Sequence, residues 1–364
     1  MDSIPNHLLV ALLGGLGGVL LGYIARSLRF CTLSAIENAA FGGDFTQARM
    51  WILAIAVAIL GTQGLHLFGL LHLQESFHWS SEINWLGASL GGLIFGLGMA
   101  AVGTCSFGSL LRVGGGDLRA LVDMLIIGIV GSMTMRGLTG LFREHVIEET
   151  SIHLPDGLIQ DLPGLLSGLL QLPQTPTRVV LTLLIAGLCL AWCLRDPSFR
   201  AQGKALAGGL MVGLIVLFGW ITTGVIGADP FEPVALGSYT FIRPVGDTLI
   251  YLMLFSGSSI TFGVGTVLGT LAGAAVAALK SGEANWEGFD DLREMRRHIC
   301  GAAAMGFGGV VAMGCTIGQG VSGVGTLALT SFIALGCIWL GGVIGVRLLV
   351  YGGVAPIFFG RQPR

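Results

Sequence analysis

Charged residues are scarce in this sequence. Only 11% of its 364 residues are Asp, Glu, Lys or Arg, whereas about 25% of the residues in a soluble domain are usually charged. Hydrophobic residues make up 53% of the chain, and the mean hydropathy is +0.82. This composition excludes an ordinary soluble domain and indicates a protein of the lipid bilayer. The net charge of −2 and the lack of any Lys/Arg-rich run also argue against a nucleic-acid partner.

Several signatures of catalysis and metal binding are absent as well. The sequence contains no Walker A segment, so ATP hydrolysis is not encoded in it. Its seven histidines show no HxxxH or HxH spacing, and its seven cysteines show no paired spacing typical of zinc sites. We therefore expect no metal, no cofactor and no enzymatic activity. The cysteines lie in or beside apolar segments, which indicates free thiols.

Long apolar runs are what the sequence has in abundance. We predict an all-α polytopic membrane protein with about nine transmembrane helices, because these runs are long enough to cross the hydrocarbon. The predicted spans lie near residues 8–25, 48–70, 85–104, 118–140, 178–195, 204–225, 258–280, 299–315 and 327–350. Two shorter segments, near 31–41 and 244–256, are predicted to be half-helices. The first span lacks the positive flank of a secretory signal, which favours a retained helix.

Positive charges fall in alternate connections between these spans. They are Arg26, Arg29, Arg112, Arg119, Arg195, Arg200, Lys204, Lys280, Arg293, Arg296 and Arg297. The positive-inside rule places these connections in the cytoplasm. We therefore expect the N-terminus outside the cell membrane and the C-terminus inside.

Two glycine-rich segments repeat each other, one around Cys105 and one around Cys315. At an offset of 210 residues the two cysteines coincide. The same offset superposes further glycines: Gly91 with Gly301, Gly96 with Gly306, Gly98 with Gly308, Gly108 with Gly318, and Gly115 with Gly325. By the charge argument the two copies cross the membrane in opposite directions, so we predict an inverted pseudo-twofold repeat.

This repeat divides the chain into four parts. We predict a first repeat at 1–140, an exterior loop with a connecting transmembrane helix at 141–203, a second repeat at 204–350 and a cytoplasmic tail at 351–364. Inverted halves are typical of transporters, whose substrate site lies near the midplane where the halves meet.

The repeated segments share a short pattern of chemistry. Each reads cysteine, hydroxyl residue, apolar residue, glycine: Cys105-Ser106-Phe107-Gly108 and Cys315-Thr316-Ile317-Gly318. Glycine clusters follow, and glycine is a poor helix former, so we expect two re-entrant loops that break there at mid-membrane. A thiol offers a soft contact without a fixed charge, which suits a sulfur-containing anion that must be released again. The alternative is that each buried cysteine is merely a small hydrophobe.

Other charged residues near these segments have two open interpretations. Arg26 and Arg29 could attract an anion at the inner mouth or simply anchor the chain to the cytoplasmic side. Arg243 could attract an anion from outside or pair with Asp247 at the next helical turn, which we favour. Asp117, Asp123 and Asp247 all lie near predicted span ends, so no proton relay is visible and we favour facilitated passage over proton symport.

Several motifs resemble one known family. The Arg29-Phe30-Cys31 run, the segments around Cys105 and Cys315, and the span SITFGVGTVLGTLAG resemble the YeeE/YedE family of sulfur transport membrane proteins over about residues 10–350. The resemblance implies a prokaryotic inner-membrane protein with an hourglass shape. Its relatives take up thiosulfate or have been linked to selenium. It further implies Cys105 and Cys315 at the waist, Cys31 on the inner side, and a TusA-like sulfur carrier as a cytoplasmic partner.

We therefore expect a permease for a small sulfur-containing anion, thiosulfate before sulfite, sulfide or a selenium compound. The expected substrate-binding residues are Cys105, Cys315, Cys31, Ser106, Thr316, Gly108, Gly318, Thr240 and Arg29. Thr240 is included because some members of the resembling family have a further cysteine near Ser238–Phe241. Two other functions rank lower. One is a sulfurtransferase with a persulfide on Cys105, for which neither loop offers a His or Lys; the other is an assembly subunit.

Overall fold

The computed structural model describes residues 5–155, 158–229 and 232–351. Helices dominate these residues. The α-helices are, in chain order, α1 (Asn6–Ser27), α2 (Thr32–Glu37), α3 (Thr46–Leu67), α4 (Gly92–Val102), α5 (Ser106–Gly114), α6 (Leu118–Arg136), α7 (Leu138–Phe142), α8 (Leu162–Leu170), α9 (Gln174–Leu194), α10 (Pro197–Ala201), α11 (Gly203–Ile221), α12 (Arg243–Met253), α13 (Phe262–Ser281), α14 (Leu292–Val311) and α15 (Leu329–Tyr351).

Shorter elements extend or connect these helices. Turns of π-helix occupy Asn38–Gly42, Gly87–Gly91, Arg143–Ile147, Thr222–Ile226 and Gly318–Gly323. Turns of 3₁₀-helix occupy Leu73–Glu75, Glu148–Thr150 and Phe255–Gly257. Strands β1 (Glu82–Ile83) and β2 (Ile152–His153) pair antiparallel between two connections.

Eight helical stretches among the described residues are long and apolar enough to cross a membrane. They are Asn6–Gly42, Thr46–Leu67, Gly87–Gly114, Leu118–Arg136, Gln174–Leu194, Gly203–Ile226, Phe262–Ser281 and Leu329–Tyr351. The all-α polytopic fold is therefore confirmed. The count of nine is not: the predicted span 299–315 falls largely within α14, whose first turns carry Arg293, Glu294, Arg296 and Arg297.

Both predicted half-helices form. The segment predicted at 31–41 is α2 with its following π-helical turn, and the one predicted at 244–256 is α12, which has 11 residues. At 1.5 Å per residue, neither is long enough to cross about 30 Å of hydrocarbon. Apart from Tyr351, the predicted tail at 351–364 lies outside the described residues.

The long helices pack in matched pairs. The first helix of each predicted half packs along the third helix of the other half: α1 along α13, and α11 along α3. Likewise α4 packs along α15, and α14 along α6. These exchanged contacts support the inverted repeat and its boundaries, which remain a prediction.

Glycines allow the close approach of α1 and α13. A Cβ added to Gly22 would lie 2.1 Å from the Thr270 carbonyl oxygen, and one added to Gly273 would lie 2.0 Å from that of Val19. Lipid tails are as apolar as the side chains, so helix association in a membrane depends on such backbone contact.

Each of the two repeated segments is tied down at its far end. After α5, the amide of Leu118 donates to the Glu287 carbonyl at 2.9 Å. After residues 316–325, the amide of Leu329 donates to the Gln160 carbonyl at 2.8 Å, and that of Leu162 to the Leu327 carbonyl at 2.9 Å. The connection between α13 and α14 thus holds the first segment, and the connection before α8 holds the second.

The contact between α1 and α13 gives the first prediction. Gly273→Ala should destabilise the protein by about 1–3 kcal/mol, because the new methyl group overlaps a backbone oxygen. Thermal unfolding of the purified protein in detergent measures the change. The control is Gly336→Ala in α15, where no other atom lies within 4 Å of the added Cβ. Equal melting temperatures for the two variants would contradict the packing argument.

Candidate functional site

Both repeated segments contain a helix break at the same place. Gly103, after α4, has φ +83°, and Met313, after α14, has φ +60°. These residues coincide at the offset of 210 and stand two positions before Cys105 and Cys315. The left-handed conformation ends each long helix, and a new helix begins directly after the cysteine.

These breaks precede the cysteines and are additional to the turn at the first glycine cluster, where a break was expected and where Gly116 has φ +96°. Gly114 ends α5, and the Gly318–Gly323 stretch is itself a π-helical turn within helical residues 316–325. Away from water the backbone must satisfy its own hydrogen bonds, so even a glycine-rich segment stays helical. The predicted re-entrant loops are short helices that begin at the cysteines.

The two cysteines cap these helices. The Cys105 Sγ accepts a hydrogen bond from the Gly108 amide at 3.4 Å, and the Cys315 Sγ accepts one from the Gly318 amide at 3.4 Å. A side chain that accepts from the amide three residues later is an N-cap, a position usually held by Ser, Thr, Asp or Asn. Both thiols are thereby fixed at the start of a helix, where the helix dipole favours negative charge.

The glycine of each pattern makes room for a threonine. A Cβ on Gly108 would lie 2.0 Å from the Thr104 hydroxyl oxygen, and a Cβ on Gly318 would lie 2.4 Å from that of Thr240. Any larger residue would displace these hydroxyls. The structure thus gives a steric reason for the Cys-x-x-Gly spacing and brings Thr240 next to the Cys315 helix.

The thiols come together in the interior. Cys105 is 1% exposed and Cys315 is fully buried. Cys31 and Cys315 are both close enough to Cys105 to interact with it electrostatically, and the Thr316 hydroxyl faces the Cys105 thiol without an aligned hydrogen bond. The Thr32 hydroxyl, at the start of α2, lies 3.9 Å from the Cys105 Sγ. Side chains from both predicted halves therefore surround one cysteine.

Three buried hydroxyl groups at this place have no hydrogen-bond partner within the described part of the chain. They belong to Ser106, Ser109 and Thr316, each of which is fully buried. An unsatisfied buried hydroxyl costs about 1–3 kcal/mol. These groups are available to donate to a bound anion.

Aromatic rings line the same region. Phe107 packs on Phe241 with ring centroids 4.9 Å apart, and Phe30 stacks on Trp51 at 4.5 Å. The half-helix α2 begins directly after Cys31, whereas α12 begins directly after Ile242. The second half thus has an apolar side chain before its half-helix where the first half has a thiol.

A cavity of about 220 Å³ opens beside the Cys315 segment. Its lining includes Thr240, Met313 and Gly314, together with Arg143 and Arg243. Each arginine has an acidic partner: Arg243 lies 3.4 Å from Asp247, which confirms the predicted ion pair, and Arg143 pairs with Glu148. Arg143 could not be recognised as a lining residue from the sequence, because it is a single basic residue within an acidic connection.

Arg29 lies at the surface and not among the thiols. Its side chain is 81% exposed and 3.5 Å from Glu283. Arg26 is closer to the repeated segment, since its guanidinium donates to the Leu111 carbonyl in α5 at 2.8 Å. Clefts of about 350 and 330 Å³ both include Arg26 and Glu283 in their lining. Both arginines thus sit at one face of the molecule.

No group of three or more metal-ligating side chains occurs within residues 5–155, 158–229 and 232–351. The site consists of thiols, hydroxyls and backbone amides, which can hold a small anion by weak hydrogen bonds.

Burial lowers the pKa of His78, in the connection after α3, to about 3, so this histidine is neutral at physiological pH.

The helix breaks give the second prediction. Gly103→Ala should destabilise the protein by roughly 1–2 kcal/mol, because an L side chain is strained at positive φ although no atom crowds the new Cβ. Met313→Gly should be neutral or stabilising by up to about 1 kcal/mol, since it releases the same strain. Thermal unfolding in detergent compares the two. A loss of stability in Met313→Gly as large as that in Gly103→Ala would contradict the strain argument.

The sequence is similar to that of known transport proteins. The profile of the Sulphur transport family matches residues 27–344. The thiosulfate transporter TsuA of Escherichia coli (strain K12) is 26% identical over 336 residues, which cover 89% of this chain and 90% of the relative. The thiosulfate transporter TsuA of Spirochaeta thermophila is 27% identical over 344 residues, covering 88% of this chain and 93% of the relative. The match includes both cysteine segments and most of the chain, which belongs to the Sulphur transport family.

Proposed function

We propose that the protein is an inner-membrane permease that takes up thiosulfate through a constriction lined by Cys105, Cys315 and Cys31. The observation that carries the proposal is the convergence of thiol-capped helix starts, one from each predicted half, on one buried place. Thiosulfate is proposed as the substrate because both relatives are named thiosulfate transporters. The runner-up cargo is another small sulfur or selenium species.

The proposed route runs across the molecule. An anion reaches the cavity beside Thr240 and Arg243 from the periplasm and passes Cys315 and then Cys105. It leaves past Cys31 toward the clefts at Arg26 and Arg29. This route uses the orientation predicted from the charge distribution, with the N-terminus in the periplasm and the C-terminus in the cytoplasm.

The chemistry of the constriction fits a dianion with one soft end. Helix starts and the free hydroxyls of Ser106 and Thr316 donate to the oxygens. The thiols offer polarizable contacts to the terminal sulfur. The groups that act on Cys105 are Cys31, Cys315, Thr316 and the Gly108 amide, none of which is cationic. Binding stays weak enough for release, as conduction requires.

The same surroundings favour transport over sulfur transfer. A thiolate is stabilised by a nearby cation or by a helix start; Cys105 has the helix start, but none of the groups that act on it is cationic. A persulfide on Cys105 would be detected by intact-mass measurement after exposure to thiosulfate.

Uptake of a dianion must work against the membrane potential. Two negative charges moving into a cell that is 100 mV negative inside cost about 4.6 kcal/mol. Either a coupled cation or rapid removal of the product must offset this cost. A TusA-like carrier at the cytoplasmic face would remove sulfur there.

The third prediction tests the thiols. In cells that lack other sulfur importers, Cys105→Ala and Cys315→Ala should each lower the rate of thiosulfate uptake at least about tenfold, the effect of losing roughly 1.4 kcal/mol of contact. Radiolabelled thiosulfate uptake, normalised to the amount of protein in the membrane, measures it. The control is Cys300→Ala, because Cys300 is exposed on α14. Uptake at the unaltered rate in the double variant would reject the proposed thiol contacts.

A further inference from the structure

A buried acid–base pair lies outside the thiol-lined constriction. His298 of α14 and Asp123 of α6 have side chains that are 6% and 1% exposed. The Nδ1 atom of His298 is 3.0 Å from one Asp123 carboxylate oxygen and 3.2 Å from the other. Asp123 was expected near a span end, but the structure buries it against a histidine. Ionisable residues buried in a membrane protein are costly and commonly serve ion pathways.

The pair is connected to a surface cleft through two further charged groups. The Nε2 atom of His298 lies 3.9 Å from a carboxylate oxygen of Glu294, which in turn lies 3.3 Å from an Arg119 guanidinium nitrogen. Arg119 lines the cleft of about 350 Å³ that also includes Arg26 and Arg112. Glu294 thus stands between the buried pair and the cleft at the proposed exit of the substrate, and the permanently charged Arg119 pairs with its carboxylate.

The connection before α14 adds Glu287, which pairs with Arg119, and Asp290, whose amide donates to Glu294. Asp117 also pairs with Arg119, and α14 itself carries Arg293, Arg296 and Arg297. Helices α4 and α7 and the Gly87–Gly91 turn contain no ionisable residue. In α12, Asp247 pairs with Arg243 and with Arg136 at the far end of α6. In α5, Arg112 donates to the Gly103 carbonyl at 2.9 Å. The ring of Phe289 covers His298 with centroids 5.4 Å apart.

The position of the pair relates it to both thiols. Helix α14 leads into the break before Cys315, and α6 follows the segment that begins at Cys105. A change of charge on His298 alters the attraction between the two helices that carry these segments. His78 is buried too, but its low pKa keeps it uncharged.

We propose that the Asp123–His298 pair is a proton-binding site that couples the uptake of thiosulfate to the uptake of protons. In this proposal, which rests on the proposed function, neutral His298 donates from Nδ1 to Asp123 and accepts at Nε2 a proton that enters from the periplasm together with the anion. The imidazolium stays beside the Asp123 carboxylate, and the proton later leaves by Glu294 to the cytoplasmic cleft. Only N–H and O–H bonds form and break.

Proton uptake removes part of the electrical cost. One proton per thiosulfate reduces the net charge moved from −2 to −1. At 100 mV the opposing concentration ratio then falls from about 2,000-fold to about 50-fold.

The fourth prediction is tested with the purified full-length protein in liposomes. Radiolabelled thiosulfate uptake is measured under a pH gradient with the lumen alkaline, with the potential clamped by potassium and valinomycin. Exchange of thiosulfate at equal pH is measured in the same vesicles. A gradient of one pH unit should raise accumulation by about tenfold for one proton. His298→Gln and Asp123→Asn should lose this stimulation and keep exchange. The control is His145→Gln, at an exposed histidine of the exterior loop, which should keep both.

A second measurement needs no variant. Addition of thiosulfate to weakly buffered vesicles that contain the unaltered protein should acidify the lumen, as read from a trapped pH-sensitive dye. If the unaltered protein exchanges thiosulfate but shows neither gradient stimulation nor acidification, the coupling is refuted while the permease stands. If His298→Gln keeps full stimulation, the pair is not the proton site. Absence of thiosulfate exchange by the unaltered protein would overturn the permease and the coupling together.

Discussion

The constraint on which the rest of this structure depends is the lack of water in the bilayer interior. Every buried amide must find a partner within the chain. The sulfur atoms of Cys105 and Cys315 meet that demand by accepting from the amides of Gly108 and Gly318. One interaction thus allows a helix to start in the protein interior and fixes a thiol there. The same hydrogen bond stabilises the helix start and positions the thiol for the proposed function. A substitution of either cysteine therefore affects both the fold and the site.

The two halves repeat this arrangement without being identical. At the break, one half uses Gly103 and the other uses Met313, although both have positive φ. Cys31 precedes α2, whereas Ile242 precedes α12. The Asp123–His298 pair has no counterpart at all, since the offset of 210 gives Ile333 and Ala88. These differences make the two sides of the proposed route chemically unequal.

Much of this arrangement could be predicted from the sequence, because it depends on composition and spacing. Apolar runs indicated the spans, and the offset between Cys105 and Cys315 indicated the matching segments. The contacts that depend on three-dimensional packing could not be predicted. Glycine content suggested breaks at the clusters, whereas backbone hydrogen bonding keeps residues 316–325 helical. His298 and Asp123 are 175 residues apart, and no local pattern relates them; only the packing of α14 against α6 brings them into contact.

The backbone ties at the ends of the two thiol segments affect how a solute can cross. One segment is held at Leu118 by the connection between α13 and α14, and the other at Leu329 by the connection before α8. Neither can swing as a rigid arm without breaking the peptide hydrogen bonds that join it to these connections. The two ends of the proposed route are thus each linked to a part of the chain outside the predicted repeat that carries the thiol at that end.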